Sequence, residues 1–309
     1  MDKLYARDIY GKTLIELGKK DPDLVVLDAD LSGSTRTARF GKEFPERFFN
    51  FGVAEQNMMA TAAGLARCGK TVFASTFAMF ATARAVDQVR NTICYNDLDV
   101  KIVATHGGIT VGEDGASHQA IEDINLFRAI PKIKIIIPAD APEAKEAIVA
   151  AYKTPGPFYI RLGRSKVPSL EKRKKFALGK GYTLRKGKDV AIVSCGIMVK
   201  ESLQAANILE KQGVSATVAN IHTIKPADQD FIVNLAKAHK KIVVCEEHQT
   251  IGGLYSTVAE LLSNKYPVKI EKIGINDVFG QSGSPDKLLE YYGLTADNIA
   301  EKTKKFLSQ

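Results

Sequence analysis

Short apolar runs, many of them β-branched, alternate with helix-length segments along almost the whole chain. Strands separated by helices cannot pair as hairpins, so they assemble into mostly parallel sheets with helices on both faces. The first series predicts strands at 24–27, 48–51, 71–74, 100–105, 134–137 and 158–162. Helices are expected over 5–20, from 54, over 77–94, briefly from 120, and over 142–152, the last with Pro142 at a favourable start position. A second series predicts strands at 190–194, 216–221, 242–246 and 269–273, with helices over 199–212, 228–239 and 252–264. Residues 166–188 are Lys-rich and weakly apolar and read as a linker, with at most a hairpin. The expectation is two doubly wound α/β domains, 1–165 and 189–309. In such folds ligands sit beyond the carboxyl ends of strands, so the loops at Asp28, Phe77, His106 and Arg164 should gather along one rim.

Composition narrows the function class. A chain of 309 residues has room for two such domains. Hydrophobic residues at 45% and charged residues at 25% are the balance of a soluble globular protein. No apolar run approaches membrane-spanning length, and the opening MDKLYARDIYGK lacks the apolar core of a signal peptide. Cys68, Cys94, Cys195 and Cys245 stand apart, with no C-x-x-C, and read as core thiols of a reducing, cytoplasmic compartment. The His residues are too dispersed for a zinc motif, so no metal ligand is expected here. The net charge of +8 gathers in separate clusters at 172–175, 239–241 and 302–305. These are aromatic-poor and far apart, unlike a nucleic-acid face. No G-x-G-x-x-G follows the first strand, which disfavours a dinucleotide enzyme.

The stretch 49–67, FNFGVAEQNMMATAAGLAR, organises the first half. A short aromatic strand meets Gly52, and a helix begins near Ala54 with Glu55 in its first turn. The helix is apolar or small almost all round, which predicts burial on most sides. Glu55 then has two readings: a surface anion favoured by the helix dipole, or a carboxyl kept from water for chemistry. Phe77 and Phe80 share one face of the next helix and read by themselves as core. HTIKPAD (222–228) and EEHQTIGG (246–253) read as turn and helix-start signals.

FNFGVAEQNM, STFAMF (75–80) and GEDGASHQ (112–119), in that order, resemble the pyrimidine-binding domain of thiamine diphosphate enzymes, specifically the transketolase family. HTIKPAD and EEHQTIGG resemble the family's C-terminal domain, so the likeness covers nearly the whole chain. The family's diphosphate-binding domain, with its Gly-Asp-Gly motif and downstream Asn, has no counterpart; Glu113-Asp114-Gly115 lies in the wrong domain. The resemblance therefore implies the C-terminal half of a two-chain transketolase. An N-terminal partner chain would carry the diphosphate and its Mg2+ or Ca2+, in a cytoplasmic α2β2 heterotetramer of the pentose phosphate pathway.

The implied reaction moves a two-carbon ketol unit from a ketose phosphate to an aldose phosphate. By the same resemblance, Glu55 matches the glutamate that protonates the cofactor's aminopyrimidine. Phe77 and Phe80 line the ring pocket, with Phe80 stacking, while Asp30 and Leu31 lie against the cofactor. Ala83 stands where the family often has Tyr. Arg7, Ser34, His106 and Arg164 match the phosphate-binding set, and Arg offers a fork suited to phosphate. Asp114 matches the acceptor for a sugar hydroxyl, and His118 a histidine beside the reacting carbon that can relay protons. Arg161 is expected in a structural salt bridge instead. Rival readings are a deoxyxylulose phosphate synthase-like half, a 2-oxoacid dehydrogenase β subunit, or a non-catalytic assembly subunit. His106 disfavours the synthase, the Arg7–Ser34–Arg164 set disfavours the dehydrogenase, and Glu55, Asp114 and His118 together disfavour a scaffold.

Overall fold

A computed structural model describes residues 3–171 and 173–309. Seven strands form the first sheet, in the order Thr223–Lys225, Lys134–Ile136, Phe158–Arg161, Val100–Ala104, Thr71–Ser75, Leu24–Asp28, Phe48–Asn50. All pair in parallel except the first pair. The inner strands Leu24–Asp28 and Val100–Ala104 are buried along their whole length, as strands covered on both faces must be. Phe158–Arg161, Val100–Ala104, Thr71–Ser75 and Leu24–Asp28 are consecutive neighbours and parallel. Their carboxyl ends therefore share one edge, and the loops at Arg164, His106, Phe77 and Asp30 leave it side by side.

The second sheet has the order Lys269–Ile275, Lys241–Gln249, Val190–Ser194, Ala216–Asn220, Tyr182–Arg185, parallel but for the last pair. Two helices beyond those expected close this half, Pro285–Tyr291 and Ala296–Leu307. The second packs Ile299, Ala300 and Phe306 into the same core as Val190, Ile192 and Val218.

Five expectations need correction. The stretch 166–188 contains no hairpin among the described residues. Instead Val167–Pro168 pairs antiparallel with Lys3–Leu4, and Tyr182–Arg185 joins the second sheet, Tyr182 and Leu184 turning inward in strand alternation. HTIKPAD is more than a turn, because Thr223–Lys225 extends the first sheet from the second domain. The segment 77–94 is helical but not regular: Phe80–Arg84 and Gln88–Cys94 are wound with the wider π spacing, which recurs at functional sites. The helix Glu55–Arg67 buries one face only: Met58, Met59, Ala62 and Ala63 are covered, while Gln56, Asn57, Ala60, Gly64 and Arg67 are exposed. Its Ala and Gly residues have too little apolar area to demand cover. Cys68, at the end of that helix, is exposed; the other three thiols are buried, and all four are free. Lys172, counted in the basic run 172–175, lies outside the described residues.

Candidate active site

The turn after Leu24–Asp28 is built by Asp28 rather than by the residues that follow it. Its buried carboxylate accepts from Leu31 N at 2.7 Å, Thr35 Oγ1 at 2.7 Å and Thr37 Oγ1 at 2.8 Å. Burial pushes its pKa up to about 6 against those bonds. This network presents Asp30 at the rim, exposed and with a left-handed backbone (φ 63°), its N–H bonded to Asn50 Oδ1 at 3.0 Å. Leu31 beside it is half-buried.

After the neighbouring strand, Phe77, Phe80, His106 and His118 come together. The His106 ring stacks on Phe77 with centroids 3.7 Å apart, Phe77 and Phe80 stack at 5.9 Å, and His118 meets Phe80 edge-on at 5.3 Å. Phe77 is buried, whereas Phe80 keeps part of its ring open. His106 is buried with a left-handed backbone (φ 61°) and shares a 2.8 Å hydrogen bond with Thr105 Oγ1. A non-glycine residue held there is a strain that the surrounding structure must enforce. Burial, helped by the nearby charges of Arg7, Arg164, His118 and Arg36, lowers its pKa to about 3. The ring is therefore neutral at ordinary pH.

Arg7 donates to the carbonyl of Ser34 at 3.2 Å, so it meets that residue's backbone and not its hydroxyl. Its Nε is buried with no hydrogen-bond partner among the described residues, and burial plus Arg36 lowers its pKa. Arg164 bonds Val111 O and, at 3.2 Å, Glu113 Oε2. Arg7, Arg164 and the neutral His106 are close enough for the two guanidiniums to act on the imidazole, and with an unsatisfied N–H on Arg7 the set suits an anion.

The loop 106–118 is fixed largely from the second domain. Glu247 Oε1 accepts from both Thr110 N and Thr110 Oγ1 at 2.7 Å. Gln119 Nε2 reaches Gln281 O at 2.9 Å, and Ser282 Oγ reaches Glu113 O at 2.6 Å. Gly108 (φ 88°) is required there, since a Cβ would meet Glu247 Cδ at 2.2 Å. Asp114 is exposed on this loop and makes no hydrogen bond or ion pair among the described residues.

Glu55 is the first residue of its helix and is 3% exposed. Gly52 (φ 66°) supplies the left-handed turn into it. Its polar partner is Arg84, whose Nη1 lies 3.2 Å from Oε1 and whose Cζ sits 4.1 Å from the centre of the Phe80 ring. Sequence reasoning missed Arg84, Glu247 and Gln119. Arg84 falls four residues after Phe80, a spacing that places a cation beside an aromatic ring on a helix. Glu247 carried no local signal, because its partner Thr110 is 137 residues away, while Gln119 bonds Ile109 O and Gly112 O in its own loop and also Gln281 O, 162 residues on. Arg161 forms the expected salt bridge, with Asp123 at 2.7 Å. Among the described residues no three His, Cys, Asp or Glu are grouped to hold a metal ion, and no helix is long and apolar enough to cross a membrane.

Residues 2–169 match the model of the transketolase pyrimidine-binding domain, and residues 179–299 that of the transketolase C-terminal domain. The chain belongs to the transketolase family. It is 53% identical over 299 residues to a chain named as a transketolase C-terminal section from Methanocaldococcus jannaschii, covering 95% of this chain and 93% of that one. It is 39% identical over 300 residues to the 6-deoxy-6-sulfo-D-fructose transketolase subunit SqwH of a Clostridium species, covering 97% and 93%. Among solved structures, a split-gene transketolase described as an inactive beta4 tetramer superposes with a TM-score of 0.91 at 50% identity, covering 99% of both chains. A Pichia stipitis transketolase complexed with sedoheptulose 7-phosphate superposes with a TM-score of 0.86 at 26% identity. That match covers all of this transketolase chain but 46% of the Pichia one.

Proposed function

We propose that this chain is one subunit of a two-chain, thiamine diphosphate-dependent transketolase that moves a two-carbon ketol unit between sugar phosphates. The observation that carries the reading is Glu55: a carboxylate withdrawn from water, beside an aromatic wall, on the rim that also holds Arg7, His106 and Arg164. The residues fit the cofactor's aminopyrimidine. Phe80, only partly buried, offers a ring for stacking, and Phe77, Asp30 and Leu31 complete the wall. When bound, thiamine diphosphate supplies the carbanion chemistry of the transfer.

This chain's residues orient and manage protons. Glu55 holds the proton at the far nitrogen of the pyrimidine ring, a task that suits a carboxyl shielded from solvent. Arg7, Ser34, His106 and Arg164 take the sugar phosphate, with His106 acting as a neutral donor rather than a cation. Asp114 accepts from a sugar hydroxyl, and His118 donates to the oxygen that gains charge and relays its proton. The diphosphate and its Mg2+ or Ca2+ belong to a partner chain, in an α2β2 assembly. Support for that division comes from similarity to a transketolase C-terminal section, a transketolase subunit and a split-gene transketolase. The 50% identical split-gene relative forms an inactive beta4 tetramer, which fits a chain that self-associates without catalysing.

The test is reconstitution with an N-terminal transketolase subunit, assayed on xylulose 5-phosphate and ribose 5-phosphate with each chain alone and both together. Turnover is expected from the mixture only. In that mixture Glu55→Gln should lower kcat by at least about 100-fold while leaving the circular dichroism spectrum unchanged. Wild-type turnover by Glu55→Gln would sink the assignment.

A further inference from the structure

Arg84 lies between the two groups on which the proposed ring site depends. Its Nη1 is 3.2 and 3.4 Å from the two carboxylate oxygens of Glu55, and its Cζ lies 4.1 Å from the Phe80 ring centre. The Glu55 side chain is 3% exposed and that of Arg84 47%, so Arg84 reaches a buried carboxylate from a half-open position. Its own carbonyl is anchored by Gln56 Nε2 at 2.9 Å. A guanidinium is flat and delocalised, with N–H donors along its edge. An aminopyrimidine carrying a ring proton is also flat, presents N–H donors at its edge and stacks on an aromatic face. Arg84 thus makes both contacts that such a ring needs, an N–H to the carboxylate and a close approach to the Phe80 ring.

We propose that Arg84 is an internal placeholder: before cofactor enters, its guanidinium stands in for the aminopyrimidine between Phe80 and Glu55, and it swings out to solvent as the ring arrives. The proposal rests on the reading of Glu55 and Phe80 given above. A buried carboxylate left without a partner is costly, so a resident cation keeps Glu55 in place while the site is empty. Because about half of the Arg84 side chain already faces water, it has a path out to solvent, and a ligand that brings Glu55 its own N–H donor can displace it. The π-wound turn Phe80–Arg84 joins the stacking residue and the placeholder within one short segment. The consequence is competition: cofactor must open the Arg84–Glu55 contact, and its apparent affinity is reduced by the fraction of closed sites.

Calorimetric titration of thiamine diphosphate into the assembled two-chain complex, at fixed Mg2+ and at 50 and 500 mM NaCl, tests this. Arg84→Ala should bind about tenfold more tightly than wild type at low salt, as removal of a nine-tenths populated closed state requires. The gap should narrow at high salt, because screening weakens the closed contact in wild type alone. Arg84→Lys keeps the charge but not the plane and should fall between them. Without cofactor, Arg84→Ala should lower the Tm of the free chain, since Glu55 loses its partner. Equal or weaker binding by Arg84→Ala overturns the proposal, as does absence of binding by both forms; should that variant not fold, Arg84→Lys binding no more tightly than wild type overturns it too. Glu55→Gln separates the two readings. If it destroys turnover while Arg84→Ala fails to tighten binding, the transketolase reading stands and the placeholder falls; if turnover survives, both fall.

Discussion

His106 shows how one residue links strain, electrostatics and chemistry. It is pressed against Phe77 in a left-handed backbone, and burial with neighbouring cations sets its pKa near 3. In the unfolded chain a His titrates near 6.5. The folded state therefore refuses a proton that the unfolded state takes up, and His106 lowers stability as pH falls through the window from 6.5 towards 3. At pH 5 the penalty is on the order of 2 kcal/mol; above pH 7 it vanishes. His222 and His248, lowered to about 4 by burial, act with the same sign. Glu246, raised to about 7, and Asp28, raised to about 6, act with the opposite one. The total pH curve thus mixes signs, and the informative measurement is a difference. The Tm of His106→Asn minus that of wild type should climb as pH drops from 7 to 5 and stay flat from 7 to 8. Parallel curves would show that the imidazole is not held neutral. Asn suits the comparison because it tolerates the left-handed region.

At the scale of elements, the loop 106–118 illustrates what was legible in the sequence and what was not. Its place after a strand followed from the alternation of strands and helices, and so did the neighbouring loops at Asp28, Phe77 and Arg164, because parallel strands deliver their loops to one edge. Its conformation did not follow. That is set by Glu247, far along the chain, whose carboxylate takes both donors of Thr110. The helix of Glu55 was misjudged for a related reason. Sequence counts Ala and Gly as apolar, but coverage depends on what packs against them: Met58, Met59, Ala62 and Ala63 are buried, Leu65 and Ala66 are partly covered, and Ala60 and Gly64 are exposed. Arg161 is the last, buried residue of its strand, whereas Arg164 lies in the loop beyond it and is half-buried. Gly108→Ala tests the loop. It forces a side chain into the Glu247 carboxylate at a φ that L residues avoid, and should cost at least about 2 kcal/mol in urea unfolding. In the reconstituted enzyme it should raise the Michaelis constant for sugar phosphates, since the loop carries His106 and Asp114. An unchanged denaturation midpoint would mean that the close approach is absent in solution.

Over the whole molecule the two domains are interlocked rather than tethered. The second domain lends Thr223–Lys225 to the first sheet, and one apolar cluster runs from Val72 and Ile102 through Ile137 to Val193 and Val244. Arg161 sits at the junction. It donates to Asp123 Oδ2 at 2.7 Å, to Ala120 O at 2.9 Å and, across the domain boundary, to Glu247 O at 3.0 Å. The same Asp123 oxygen accepts from Tyr159 at 2.6 Å. A buried ion pair adds little net stability over an apolar pair of the same size, but removing one member strands a charge. Arg161→Leu should therefore cost about 3–5 kcal/mol, whereas Arg161→Leu combined with Asp123→Leu should cost less than the single change. Because Glu247 also orders the loop of His106, the damage should spread from the junction to the site. Scanning calorimetry provides the readout: one transition with equal calorimetric and van't Hoff enthalpies for the wild type, and a lowered, broadened or divided transition for Arg161→Leu. If the single variant melts at the wild-type temperature in one sharp step, the junction does not couple the domains, and the second half of the chain positions the site by packing alone.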